Sequence, residues 1–189
     1  MCGIATQNKI HILKGFLNME HNTSIAIQNS TDDSINFTWL ELPASEEDIQ
    51  KALEKINALE DENFFVADYE TDLELPKSDF NITSLAELEE FNSTLEDFEA
   101  LDEWEQEEVF AILEFETMNL WEALDRQKRG CFLFHSGIEN EYDLGEYYVT
   151  EVGCWEIPEY IRSYIDYEAY GKEIAYDGMF TAYGYIQWA

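Results

Sequence analysis

From Ser78 to Asp125 the chain runs for 48 residues with 16 Asp and Glu and not one Lys or Arg. Such a stretch can fold only if its charges and its apolar side chains separate onto different faces. Here they do: Leu85, Leu88, Phe91, Leu95 and Phe98, then Val109, Phe110 and Leu113, recur at helical spacing. Apolar residues at i, i+3, i+4 and i+7 bury one side of a helix and leave the carboxylates on the other. Ser84 and Glu87 form a capping box that opens a helix to about Glu99, and Asp102 caps a second to about Glu114. The expected result is a rigid negative array of Glu87, Glu89, Glu90, Glu96, Asp97, Glu99, Asp102, Glu103, Glu105, Glu107, Glu108, Glu114 and Glu116. An ordered array of this kind resembles the DNA backbone. It repels nucleic acid and attracts proteins that bind nucleic acid.

The same bias covers the whole chain, whose formal charge is −32 over 189 residues. With 46% hydrophobic and 15% aromatic residues it is too apolar for a disordered acidic tail. It must therefore fold against its own repulsion. A sphere of this length has a radius of gyration of about 16 Å. Spread along duplex DNA at one charge per roughly 1.7 Å, the same charge occupies about 54 Å. An elongated row of small modules relieves the repulsion better than a sphere. Two bland readings compete. Generic solubility charge, as in salt-adapted proteins, predicts evenly mixed cations. Here they cluster at Lys9 and Lys14, Lys51 and Lys55, and Arg126, Lys128 and Arg129. A Ca²⁺ store predicts loops of alternating Asp or Asn with a Gly and a terminal Glu, and none is found.

The pattern predicts an α+β chain. Residues 1–23 form an appended arm with Lys9, His11, Lys14 and His21 and one acid, Glu20. Residues 24–72 read as a ββαβ module. Strands are expected at Ser24–Asn29, Asn36–Leu42 and Asn63–Tyr69, with a polar turn at Ser30–Ser34. Pro43 ends the second strand, and a helix follows, capped by Ser45 with Asp48, burying Ile49, Leu53 and Ile56. Residues 70–82 read as a linker, and 73–130 as the acidic helical module. Its third helix ends at Arg126, Lys128 and Arg129, with Gly130 as the stop. Residues 131–189 read as a mixed module. It has a strand at Cys131–Ser136 and a helix starting at Asp143. A second helix runs from Pro158 through Glu159–Tyr170 to a stop near Gly171. Two final strands, Met179–Ala182 and Tyr185–Trp188, flank a turn at Tyr183–Gly184.

The residues offer no catalytic constellation. Carboxylates abound, but a catalytic acid pair needs one carboxyl raised by an apolar pocket, and no pair is singled out. Cys131 and His135 lie about 13 Å apart at strand rise, too far for a thiol–imidazole pair. His11, His21 and His135 with Cys2, Cys131 and Cys154 give no zinc spacing and no C-x-x-C. The sparse cysteines fit a reducing cytoplasm. There is no apolar run of ~18 residues, no signal pattern, no phosphate loop and no basic patch. The reading is a cytoplasmic protein that is not an enzyme, without cofactor or metal, binding neither nucleic acid nor membrane. Tyr160, Tyr164, Tyr167 and Tyr170, at helical spacing, read as core or interface packing.

The same tyrosines carry a resemblance. Tyr164–Gly171 reads YIDYEAYG. It resembles the C-terminal signature YIDYxAYGRDL of the ArdA antirestriction family, with Lys172, Glu173 and Ile174 replacing Arg-Asp-Leu. The signature positions are Tyr164, Ile165, Asp166, Tyr167, Ala169, Tyr170 and Gly171. Asp143–Tyr148 (DLGEYY), Trp39–Pro43 (WLELP) and Val66–Glu70 (VADYE) are also similar. The likeness runs from about Ser24 to the C-terminus. It departs before Trp39, where Asn29–Asp33 replaces the family's Tyr-Asn-x-Gly turn. The resemblance implies three modules, dimerisation through the last, imitation of bent B-DNA, and occupation of the DNA groove of type I restriction–modification enzymes in a bacterial host.

Two other readings stay open. One is an acidic inhibitor of another defence system, such as a CRISPR or phage-exclusion complex. The other is an acidic adaptor or chaperone for basic proteins. For the homodimer, the expected contact is Cys131, Phe132, Leu133, Phe134 and His135, the most apolar and least acidic part of the last module.

Overall fold

A computed structural model describes residues 21–31, 36–58, 63–153 and 157–189. The fold is α+β, with two three-stranded antiparallel sheets and the helices between and around them. Most of the expected arm, with Lys9, His11 and Lys14, lies outside the described residues. So do Cys2, Cys154 and part of the Ser30–Ser34 turn.

The first sheet has the order β2-β1-β3, from Thr23–Asn29 (β1), Phe37–Leu42 (β2) and Phe64–Thr71 (β3). Thr23, expected in the arm, is the first residue of β1. It pairs with both Leu42 and Thr71, because its own side chain is buried and bonds Thr71 at 2.9 Å. Helix α1, Glu46–Lys55, covers one face with Ile49, Ala52 and Leu53. Ser45 caps it by accepting from the Asp48 N–H. The Asp48 carboxylate accepts a hydrogen bond from the Ser45 hydroxyl instead of closing a capping box.

Residues 70–82 are not a free linker. Leu73, Phe80 and Ile82 are buried, and Lys77–Phe80 makes a 3₁₀ turn. Phe80 stacks on Tyr69 of β3 at 3.8 Å and meets Phe91 edge-on at 5.4 Å. Apolar side chains outnumber polar ones in this segment's inward positions, so it docks. Helices α2 (Leu85–Glu99) and α3 (Glu103–Phe115) follow, each opened by a full capping box, Ser84–Glu87 and Asp102–Glu105. Asn119 caps α4 (Leu120–Lys128) in the same way, and Gly130 ends it at φ 62°. Asn92 of α2 fastens the corner after β2, bonding Ala44 N–H at 2.6 Å and Ala44 C=O at 3.1 Å.

The second sheet has the order β4-β6-β5, from Phe132–Ser136 (β4), Gly178–Phe180 (β5) and Gly184–Trp188 (β6). Phe132, Phe134 and Ile186 face the helices, with Phe115 against Phe132 at 5.8 Å. Apolar contact is continuous from Ile25 through Leu88 and Ile112 to Ile186. The other face carries His135 and Tyr185 and is covered by α5 (Glu141–Tyr147), a π turn at Tyr148–Val152 and α7 (Tyr167–Ile174).

The last segment differs from expectation at three points. Helix α5 begins at Glu141, because Asn140 accepts the Asp143 N–H and so precedes Asp143 as the cap. The helix expected over Glu159–Tyr170 is two: α6, Glu159–Arg162, and α7, separated because Asp166 caps a new start by accepting from Ala169 N–H. Gly171 does not stop α7 but lies inside it.

Candidate functional site

The carboxylates of α2, α3 and the turns beside them stand on the solvent side of a buried apolar stripe. Glu87, Glu89, Glu90, Glu96, Asp97, Glu99, Asp102, Glu103 and Glu114 are exposed, while Glu105, Glu107, Glu108 and Glu116 are half-buried. The inner faces are closed by Leu88, Leu95 and Phe98 on α2 and Val109 and Ile112 on α3. Helical periodicity therefore does separate charge from core in this segment.

These acids do not share one role. Glu87 holds the start of α2, accepting from Thr83 N–H at 2.7 Å. That bond, with the Thr83 hydroxyl, keeps its pKa below the usual carboxylate value. Asp102 and Glu105 cap α3 reciprocally. Glu107 accepts from Ser136 at 2.5 Å and Glu114 from Ala182 N–H at 3.0 Å, so both tie α3 to the second sheet. Glu108 accepts from Gln127 at 3.0 Å, and burial pushes its pKa up. Glu116 is paired with Arg126, and Asp97 with Lys128 at 2.9 Å. Glu96 accepts from Asn92 at 3.1 Å. Among the described residues, Glu89, Glu90 and Glu103 meet no such side-chain partner. Spacing alone identified these acids but could not sort fasteners from free charge.

The residues of the C-terminal signature form a steric lock. Gly145 on α5 lies against the Tyr167 carbonyl of α7, and Gly171 on α7 against the Glu141 carbonyl of α5. A Cβ on either glycine would fall onto that backbone. Helices can approach this closely only where no side chain intervenes. Tyr167 is buried and meets Tyr142 edge-on at 5.5 Å. Asp166 serves as the helix cap. Ile165 is half-buried and Ala169 exposed. The two short motifs around Gly145 and Gly171 are thus two halves of one contact. The tyrosine stripe does not form one face, because the helix breaks between its members. Tyr160 and Tyr164 are 76% and 85% exposed, so neither is core, whereas Tyr167 is 6% exposed.

The strand expected at the dimer contact is an edge strand, hydrogen-bonded only to β6 among the described residues. Its faces are not equivalent. Phe132 and Phe134 are buried in the chain's own core, against Trp188 and Trp104, and are not available at its surface. Leu133 is 45% exposed. Cys131 is half-buried with a free thiol. His135 is half-buried between Tyr147, Tyr148 and Tyr185, and burial lowers its pKa. Burial likewise raises the Tyr185 hydroxyl to about 12. Cys131 lies just before β4 and His135 near its far end, and the two form no pair.

Among the described residues, no three His, Cys, Asp or Glu side chains are arranged to hold a metal ion. No helix there is long and apolar enough to cross a membrane. The geometry offers an ordered acidic surface, held on helices whose own carboxylates do part of the fastening. Residues 35–187 match the family model described as antirestriction protein (ArdA). No curated protein matches the chain.

Proposed function

The chain belongs to the ArdA antirestriction family, which acts against type I restriction–modification enzymes, and from that premise we propose that it acts as a DNA mimic. It binds the DNA groove of the enzyme's methyltransferase core and keeps DNA out. The observation that carries this reading is the carboxylate array on α2 and α3, fixed by capping boxes and a buried apolar face. Rigid charge is what a mimic needs, since a flexible tail would lose entropy on binding. Both restriction and modification then fail together, because both depend on the same bound DNA.

The three segments 24–72, 73–130 and 131–189 extend the charged surface. Two copies joined at the edge of β4, with Leu133 outward, would double it to roughly 100 Å of duplex equivalent. Apolar burial at that edge must offset the repulsion of two chains of −32. The protein needs no cofactor and works in the cytoplasm of the bacterial host. The test is competition. A purified type I enzyme is held with labelled duplex DNA and titrated with the chain at several salt concentrations. Stoichiometric release of DNA, weakening as salt rises, supports the mimic. Full DNA affinity in excess protein excludes it for that enzyme.

A further inference from the structure

Helices α2 and α4 run side by side in the same direction, and a groove lies between them. One wall is the α2 stripe Glu87, Glu90, Thr94 and Asp97, and the other is the α4 stripe Trp121, Asp125 and Lys128. Two adjoining cavities of about 250 and 240 Å³ share Glu90, Thr94 and Trp121. At the outer end the chain supplies its own cation: Lys128 pairs with Asp97 at 2.9 Å, and Arg129 pairs with Asp125. Among the described residues, the lining of the inner end has acids and no such cation. There Trp121 is 54% exposed beside Glu90. Asp79 lines the back, only 9% exposed. One of its oxygens accepts from Leu120 N–H at 3.0 Å, and Oδ1 meets no donor.

We propose that the inner end of this groove is a receptor for one arginine side chain of the bound enzyme, stacked on Trp121 and paired with Glu90, with Asp79 behind it. The inference takes the partner's identity from the reading above, but the site stands on its own geometry. A guanidinium is planar, stacks on indole and carries five donors, so it can hold the ring face and the carboxylates at once. An ammonium is a point charge and cannot do both. An anion is disfavoured even though α4 starts here. Two of its first three N–H groups, those of Leu120 and Glu122, are already taken by Asp79 and by Asn119, and Glu87, Glu90 and Glu122 stand around them. A buried carboxylate with an unmatched oxygen is costly. It gains where binding brings the missing positive charge close.

The experiment uses the full chain with ¹⁵N-labelled indoles, the Trp121 signal being assigned by its loss in Trp121→Phe. It is titrated with N-acetyl-arginine amide, with N-acetyl-lysine amide and with sodium chloride. The Trp121 signal is expected to shift saturably with the arginine amide and several-fold less with the lysine amide. The shift should be reduced about tenfold in apparent affinity by Glu90→Gln and by Asp79→Asn. Equal shifts with all three additives, no saturable shift, or variants that respond like the native chain would overturn the site. A second measurement separates it from the mimic reading. Trp121→Ala with Glu90→Gln is expected to weaken binding to a type I enzyme about tenfold. A double variant that binds as well as native overturns the receptor while leaving the mimic intact. A chain that captures arginine at Trp121 but no type I enzyme supports the site and defeats the mimic.

Discussion

On α2 and α3 a side chain such as Glu89 or Glu103 can be exchanged without touching any backbone, whereas between α5 and α7 not even a methyl group fits. On the reading proposed here the first region spreads its task over many exposed carboxylates, so most single ones are dispensable. The second concentrates its task in two glycines and a cap, so each is decisive. The comparison teaches that a family signature and the surface proposed to bind a partner need not coincide. The signature around Gly171 fixes how α7 lies on α5. The carboxylates proposed to face a partner lie elsewhere, on helices that are constrained in pattern but free in detail.

The largest expected effect tests the lock. Gly171→Ala drives a Cβ onto the Glu141 carbonyl, and Gly145→Ala does the same at Tyr167. Forced overpacking with backbone on the other side should cost more than about 3 kcal/mol. Urea unfolding followed by circular dichroism would read it as a lower midpoint or an early loss of the C-terminal layer. A native-like midpoint in either variant would remove the steric basis of the comparison.

Asp79→Asn comes next and has the opposite sign. Burial pushes this carboxyl from 3.8 to about 6 on folding, with the Leu120 N–H pulling it partly back. The native state therefore holds a proton that the unfolded chain releases between those values. Stability from this group is lost as pH rises from about 4 to about 6, and stays lost above. Replacing the buried charge by an amide should raise stability by up to about 3 kcal/mol at pH 7. The gain should shrink as pH falls towards 4 and vanish below it, where both states are protonated. Chemical unfolding of the native chain and variant across pH 4–8 checks the difference, which cancels the general titration of the other acids. A difference independent of pH would mean that folding does not shift the Asp79 carboxyl. Greater stability with weaker arginine binding would mark the groove as a place where function is kept at a cost in stability.

Leu133→Asp tests the edge of β4 and should weaken self-association about tenfold or more, read by sedimentation equilibrium at moderate salt. Phe134→Asp cannot serve, because Phe134 belongs to the monomer core and its loss would unfold the module. A Leu133→Asp chain that dimerises like native would exclude this edge. The smallest effect belongs to single surface acids. Glu89→Gln or Glu103→Gln should change affinity for a type I enzyme by less than about threefold, as an exposed pair contributes little. Neutralising both with Glu90 should produce a clear loss. One such substitution abolishing inhibition would break the distributed half of the comparison. Glu107→Gln is not a fair member of that series, since Glu107 fastens Ser136.

What the amino-acid order determined by itself is what acts within a turn or two of chain. Ser84 with Glu87 and Asp102 with Glu105 set the starts of α2 and α3, and their apolar spacing set which face is buried. The alternation of Ile25 and Ile27 and the break at Pro43 sufficed for the ββαβ order. The net charge and the tyrosine-rich signature were equally legible. Only the tertiary structure decided what depends on residues far apart in sequence. Gly145 meets Tyr167, Glu107 meets Ser136, and Asp79 meets Leu120. A segment that looked like a polar linker buried Phe80 because Tyr69 and Phe91 were waiting for it. One expected helix became two because Asp166 found a backbone N–H to cap. Local propensities are weak compared with the burial and close approach that long-range packing imposes, and those are decided by partners the local sequence does not contain.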